Sequence, residues 1–300
     1  MLSYRHCFHA GNAADVIKHL VLSFCIKYLT QKEKPLLCVD THAGAGSYSV
    51  SEGVEWHNGI GRLLELRRVN GNAPFPPYVN DYLDLVYDDQ KEPHIQQGSP
   101  VIHGSPLVMG KLLRSKDRLV CFELHPKDYT ALERNMETFR INFAHNAPSI
   151  ETREADGPNE LKSLLPPPGR RGLVFIDPPW EEKDEYESIP RYAAAAIKRF
   201  PEGTYIIWYP LLSKPKAPIH GHDQTGNILF DLYSGNRCRV ELFDPSAESG
   251  SHSPRGMKGS GLVVFNPPWT LKAALNELLP FLAKTLLNSG VWNLDWIDSN

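Results

Sequence analysis

The stretch Val174-Phe175-Ile176-Asp177-Pro178-Pro179-Trp180 ends an apolar, largely β-branched run in an acid, two prolines and an indole. A buried strand needs no carboxylate at its end, and two prolines give up two backbone donors. The set does suit chemistry on an exocyclic aromatic amine. Such an amine is a poor nucleophile, because its lone pair is conjugated into the ring. Two acceptors aimed at its N–H groups draw it towards sp³ geometry. The Asp177 side chain can be one and the Pro178 carbonyl the other, held in place because prolines fix φ. Trp180 offers a flat face on which an extruded base can stack, worth ~1–3 kcal/mol. Once the nitrogen has reacted it is very acidic, so Asp177 can take its proton without a raised pKa.

A second stretch has the same form. Val263-Val264-Phe265 runs into Asn266-Pro267-Pro268-Trp269. Amine chemistry accepts Asp or Asn at the first position, so residue type does not choose. Strand order does: Asp177 ends the fourth β-like run, beside the first in a doubly wound sheet, and Asn266 ends the seventh. Asp177 is therefore read as catalytic and Asn266 as structural.

A cofactor turn lies upstream. The first strand ends in Asp40-Thr41-His42-Ala43-Gly44-Ala45-Gly46, a D-x-x-x-G-x-G pattern. Glycines let the backbone turn tightly and approach a ligand, and strand tips in open α/β sheets are where nucleotides bind. The third glycine of a dinucleotide fingerprint and the Gly-Lys-Ser/Thr of a phosphate loop are both absent. What remains is the S-adenosylmethionine variant of the turn. That variant asks for an acid at the next strand tip to hold the ribose hydroxyls, and Glu123 in CFELHP supplies it. Glu123 stands 77 residues beyond Gly46, against about 20 in an uninterrupted unit, so an insert follows the turn. The displaced helix then starts near Ser105, read as an N-cap before Pro106. Its N-terminus could receive the cofactor carboxylate. Asp156-Gly157 ends the third strand, where an acid can accept an adenine amine; an Asp-Gly turn is the plain alternative.

These residues require a particular framework. Runs at 36–40, 119–124, 149–156, 172–177, 204–209, 237–243 and 261–266 read as seven strands. Helical patterns lie between several of them, which predicts a Rossmann-like α/β fold with a doubly wound, mostly parallel sheet. The last two strands have no helix between them and are expected as an antiparallel hairpin. Residues 13–30 read as a leading helix capped by Asn12. Residues 47–104 break the rhythm and read as a small helical insert, leaving 1–46 and 105–300 as the main domain. Segments 213–222 and 245–260 read as loops.

The 300 residues, 41% hydrophobic and 22% charged, suffice for a sizeable core. A net charge of −3 excludes the strongly basic class, though not a local basic face. Five cysteines without CxxC spacing argue against a disulfide framework or zinc site, and no metal is expected. A reducing cytoplasm follows. No stretch reaches the ~20 apolar residues of a membrane span, and the N-terminus does not read as a signal peptide. Tyr4, Arg5, His6, Phe8, His9, Lys18 and His19 form an aromatic and basic cluster. It suits RNA stacking and phosphate contacts, or equally a segment packed on the sheet edge.

Taken in order, MLSYRHCFHAGNAADVIKH, DTHAGAG, GSPL, FELHP, EADG, RRGLVFIDPPW, WYP, RGMKGSG and FNPPW resemble the RlmJ family. These are bacterial adenine-N6 methyltransferases of 23S ribosomal RNA. The resemblance runs from residue 1 to about residue 270 and is loose in the insert and the last thirty residues. It implies a class I methyltransferase fold, a monomer and no obligate protein partner. It implies that His19, His42, Gly44, Ser105, Glu123, Asp156, Gly157 and Asp177 bind S-adenosylmethionine. It also implies that Asp177, Pro178 and Trp180 form the catalytic set, and that Tyr4, with His6 and Lys18, contacts RNA. One residue departs: the family usually has Tyr where this chain has Trp180. The competing readings are DNA adenine or protein glutamine as substrate, and a cofactor- or RNA-binding module without catalysis. A separate basic target-recognition region would favour DNA, and none is visible.

Overall fold

A computed structural model describes residues 9–49, 55–70, 75–88, 101–212, 222–245, 257–287 and 290–299. The chain divides into two compact units, Met1–Gly157 and Pro158–Asn300.

In the first unit, α1 (Ala13–Leu29) starts where expected. Asn12 has extended backbone angles, and its side chain accepts from Asp15 N at 3.0 Å. Asp15 in turn accepts from Gly11 N at 2.9 Å, one residue before the cap, while Asn12 N donates to His9 O at 3.1 Å. Val16, Ile17, Leu20 and Val21 are buried on successive turns. After β1 (Leu37–Asp40) come β2 (Ser47–Ser49), α2 (Ile60–Asn70), α3 (Pro77–Val86), β3 (Tyr87–Asp88) and β4 (Val101–His103). The main rhythm resumes with α4 (Ser105–Leu112), β5 (Arg118–Glu123), α5 (Pro126–Phe143) and β6 (Ser149–Glu154). Strands β1, β5 and β6 lie side by side in that order, all parallel. Cys38 and Cys121 are fully buried within them.

The stretch 47–104 was expected to be helical. It does carry two helices, and it also holds a three-stranded antiparallel sheet in the order β2-β4-β3. Strands of two or three residues have no readable period, so the sequence gives no sign of them.

Helix α6 (Gly157–Leu164) leads into the second unit. There follow β7 (Gly172–Ile176), α7 (Glu185–Arg199), β8 (Thr204–Leu212), α8 (His222–Phe230), β9 (Arg237–Phe243), β10 (Met257–Phe265), α9 (Leu271–Leu286) and β11 (Val291–Ile297). Strand β7 pairs with β8 in parallel. Beyond β8 the order is β10, β9, β11, every pair antiparallel. The expected hairpin of β9 and β10 is present, with β10 also bound to β8. Outside the small sheet of 47–104, the first unit holds three strands and the second five, one more than the seven expected. The addition is β11, a half-exposed edge strand. The loops expected at 213–222 and 245–260 lie largely outside the described residues, but Met257–Ser260 are strand, because they pair with β8 and β9. Among the described residues no helix is long and apolar enough to cross a membrane.

Candidate active site

The glycine turn is built from the tips of β1 and β5. Asp40 is fully buried, and one of its oxygens accepts from His42 N at 3.3 Å. Ala43 N donates to Phe122 O at 2.8 Å. Gly44 N donates to one Glu123 oxygen at 2.8 Å, while His125 N donates to the other at 2.7 Å. Glu123 thus ties the turn to the next strand. Burial raises its pKa, against the lowering effect of those two N–H bonds. Gly44 and Gly46 take φ of 58° and 77°, in the left-handed region that glycine enters at no steric cost. A Cβ on Gly46 would also meet Leu107 and Leu132 at 3.0 and 3.2 Å.

The insert leaves and returns at one point. Ser47 pairs with His103 across β2 and β4, and Gly104 N donates to Gly46 O at 2.8 Å. Helix α4 therefore begins where a helix would begin had the chain continued straight from Gly46. The cap differs from expectation. Gly104 is the N-cap, with extended angles, and Ser105 is the first helical residue, 6% exposed. Gly104 takes the cap because its backbone must lie against Gly46 and Tyr48; a Cβ there would meet Tyr48 at 3.1 Å.

Gly157 opens α6 pressed against β1. A Cβ on it would stand 2.4 Å from Thr41 O, so only glycine lets the tip of β6 approach this closely. Asp156, just before it, is exposed. His42 is partly buried, with Nδ1 2.8 Å from Thr41 Oγ1; desolvation pushes its pKa down to about 3, so the ring is neutral. The sequence-predicted His42, Gly44, Ser105, Glu123, Asp156 and Gly157 therefore gather around the C-terminal ends of three neighbouring parallel strands. His19 is on α1, 3% exposed, with its ring centroid 6.4 Å from that of Tyr82 in the insert.

Lys18 does not present its charge to a ligand from the surface. It is 4% exposed, and its ammonium lies 2.8 Å from Asp15 Oδ1. The residue expected to hold RNA is thus a buried cation in an i,i+3 ion pair. Tyr4 and His6 lie outside the described residues.

In the second unit, Asp177 and Pro178 follow the end of β7, with Asp177 half-buried. Trp180 differs from expectation. It is 1% exposed, its ring centroid is 4.9 Å from that of Tyr186, and its Nε1–H donates to Trp208 O at 3.0 Å. The ring expected to stack on a base is thus enclosed by its own neighbours. Its φ of 52° is left-handed, a conformation costing a side-chain-bearing residue roughly 1–2 kcal/mol.

Asn266 is structural in every contact. Its amide donates to Pro201 O and Gly203 O, both at 2.7 Å, and accepts from Tyr233 Oη at 3.2 Å. Its register puts it at the far end of the sheet. Phe265 pairs with Tyr205 at the start of β8, whereas Ile176 pairs with Ile207 further along that strand.

Comparison with known proteins bears on what this arrangement serves. A family model described as "Ribosomal RNA large subunit methyltransferase D, RlmJ" matches residues 33–298. The chain belongs to the RlmJ family. It is 38% identical over 304 aligned positions to the Ribosomal RNA large subunit methyltransferase J of Haemophilus influenzae, covering 99% of each chain. The corresponding Escherichia coli K12 protein gives the same identity and coverage. A crystal structure of a Legionella pneumophila protein is 32% identical with a TM-score of 0.78, covering 96% of this chain and 98% of that one. The Rossmann-like methyltransferase fold expected from strand order is thus the fold of this RlmJ-family chain.

Sequence reading missed two residues of this RlmJ-family protein. Trp208 and Ser260 hold Trp180 from behind: Trp208 Nε1 donates to Ser260 Oγ at 2.6 Å. The available signal was the Gly259-Ser260-Gly261 triplet, since two glycines inside a strand pattern mark close approach.

Proposed function

We propose that the chain transfers a methyl group from S-adenosylmethionine to the exocyclic N6 amine of an adenine in 23S ribosomal RNA. Membership of the RlmJ family makes it a large-subunit ribosomal RNA methyltransferase. The cofactor, the adenine and the residue roles are our reading.

The observation that carries it is the glycine turn tied to Glu123. A carboxylate offers about four lone-pair sites. Glu123 uses two of them on Gly44 N and His125 N, which leaves capacity for two vicinal hydroxyls. Gly157 lets the tip of β6 pack directly on Thr41, and Asp156 beside it is exposed. This donor set fits S-adenosylmethionine. Glu123 would hold the ribose and Asp156 with Gly157 the adenine. Gly44, neutral His42, Ser105 at the start of α4, and His19 would hold the remainder. Bound there, the cofactor supplies an electrophilic sulfonium methyl.

The chain's own task is to make an aromatic amine nucleophilic. Asp177 and the Pro178 carbonyl would accept its two N–H bonds and hold its lone pair out of conjugation. Positioning and charge stabilisation supply most of the acceleration. Asp177 would then take the proton released from nitrogen. A base must leave its stack to be reached this way, which costs a few kcal/mol unless it is already unpaired. Tyr4 and His6 would make RNA contacts. The chain acts as a cytoplasmic monomer in this reading, without an obligate protein partner.

Incubation with methyl-labelled S-adenosylmethionine and unmethylated large-subunit RNA tests the proposal. Label is expected at adenine N6 in a single RNA position. Label found only in DNA or protein would overturn it.

A further inference from the structure

The Gly-Ser-Gly segment of β10 is not used in the reading above, yet it touches the catalytic turn through two indoles. Strand β7 pairs with β8 as far as Ile176 and Ile207. Pro178 and Pro179 carry no backbone N–H with which to continue that ladder. The Trp180 indole supplies a donor instead, to Trp208 O at 3.0 Å. Trp208 in turn donates from its own indole to Ser260 Oγ at 2.6 Å. All three side chains are buried: Trp180 at 1% exposure, Ser260 at 5% and Trp208 at 9%.

The flanking glycines are what bring Ser260 there. A Cβ on Gly261 would stand 2.2 Å from Tyr209 Cζ, and one on Gly259 would stand 2.3 Å from Phe243 Cβ. Side chains at either position would push β10 off the Tyr209 ring or off β9. With glycine at both, Ser260 reaches the Trp208 indole across the β8–β10 pair, where it is registered opposite Pro210.

We propose that Ser260 is a positioning residue for methyl transfer, fixing the Asp177–Trp180 turn through Trp208 and Trp180. The claim rests on the reading of Asp177 and Pro178 as the amine acceptors. Trp180 takes a left-handed φ of 52°, which small backbone rotations would relax. Its indole N–H, donated to Trp208 O at 3.0 Å, resists that rotation. Trp208 offers its backbone carbonyl to Trp180 and its indole N–H to Ser260, so both links meet at one residue. Ser260 holds that ring.

The test combines a structural and a kinetic readout on the full chain. Indole ¹⁵N–¹H resonances of Trp180 and Trp208 are assigned by W180F and W208F. Ser260→Ala is expected to shift the Trp180 resonance and speed its hydrogen exchange at least fivefold. The same variant is expected to lower kcat about tenfold, with KM for RNA and affinity for S-adenosylmethionine unchanged within twofold. Ser260→Thr, which keeps the hydroxyl, should restore most of both. The double variant W208F/S260A should be no worse in kcat than the poorer single variant, because both cut one link. An unmoved Trp180 resonance in S260A overturns the proposal. So does an S260A enzyme whose melting temperature falls while kcat per folded molecule stays at the wild-type value. A coupled Trp180 resonance in a protein that methylates no ribosomal RNA would leave the linkage standing and sink the functional reading instead.

Discussion

The second unit contains the same short sequence twice, with opposite outcomes. Asp177-Pro178-Pro179-Trp180 and Asn266-Pro267-Pro268-Trp269 each close an apolar strand. In the first the indole is buried, at 1% exposure; in the second it is 77% exposed. The left-handed residue also differs. It is Trp180 in one turn, with φ 52°, and Asn266 in the other, with φ 49°. Strand direction accounts for this. Strand β7 runs parallel to β8, and β10 runs antiparallel to it. One turn therefore emerges level with Trp208 and the other level with Thr204. Those residues are four apart on β8, on the order of 13 Å at a strand's rise. The lesson is that a motif's chemistry depends on which end of the sheet it leaves. Asn266 spends its amide on Pro201, Gly203 and Tyr233, tying down the turn that follows β10.

The comparison breaks most directly at its first residues. Asp177→Ala should lower methyl transfer on the order of 10³-fold, the scale of removing a positioned acceptor and proton carrier. Its melting temperature should hardly change. Asp177→Asn keeps one acceptor oxygen and should retain more activity than the alanine variant. Labelled-methyl transfer to unmethylated RNA measures both. A fully active D177A would end the assignment. Asn266→Ala should do the reverse. It deletes three hydrogen bonds, each worth about 0.5–1.5 kcal/mol, so a loss of about 2–4 kcal/mol is expected. Alanine is also less at ease than asparagine at φ 49°. Denaturant unfolding reads the loss, while kcat per folded molecule should hold. An N266A protein of normal stability and no activity would reverse the roles of the two turns.

The next effect is smaller. Trp180→Phe keeps most of the buried ring and removes the donor to Trp208 O. A buried acceptor that loses its partner costs about 1–3 kcal/mol. Urea unfolding should report a loss in that range, and a fall below half a kcal/mol would mean that the indole N–H contributes nothing at this site. Trp180→Tyr, the family's usual residue, should lose less if the phenol finds a partner of its own.

Much of the framework was legible because it depends on local pattern. The runs at 36–40, 119–124 and 172–177 are dense in Leu, Val, Ile, Phe and Cys, and every residue of Leu37–Asp40 and Gly172–Ile176 is buried. The cap at Asn12, the acid at Glu123 and the close glycine at Gly157 are likewise signals carried by single residues. Most of what escaped depends on distant partners. Strand β11, Val-Trp-Asn-Leu-Asp-Trp-Ile, lies at the sheet's edge and buries none of its residues fully. Ser105 looked like a cap until Gly46 claimed Gly104. Lys18 looked like a surface cation, although Asp15 three residues earlier on the same helix face was the available sign of an ion pair. Trp180 looked like an open platform because nothing local tells an indole that a carbonyl 28 residues away will accept its hydrogen bond.

The smallest effect is expected at the other indole. Trp269 is 77% exposed, and the described contacts of its turn run through Asn266 and the backbone. Leu271, two residues on, is buried and its backbone N–H donates to Pro268 O at 2.9 Å, starting α9 without help from the ring. Trp269→Ser therefore removes apolar surface that folding does not take out of water. Its unfolding free energy should lie within ~0.5 kcal/mol of wild type, as for surface positions generally, and kcat should be unchanged. Its effect can then be set beside that of W180F: one ring, one sequence context, and a cost that follows burial and the N–H partner. If W269S instead lost as much stability as W180F, strand direction would no longer explain why the two turns differ.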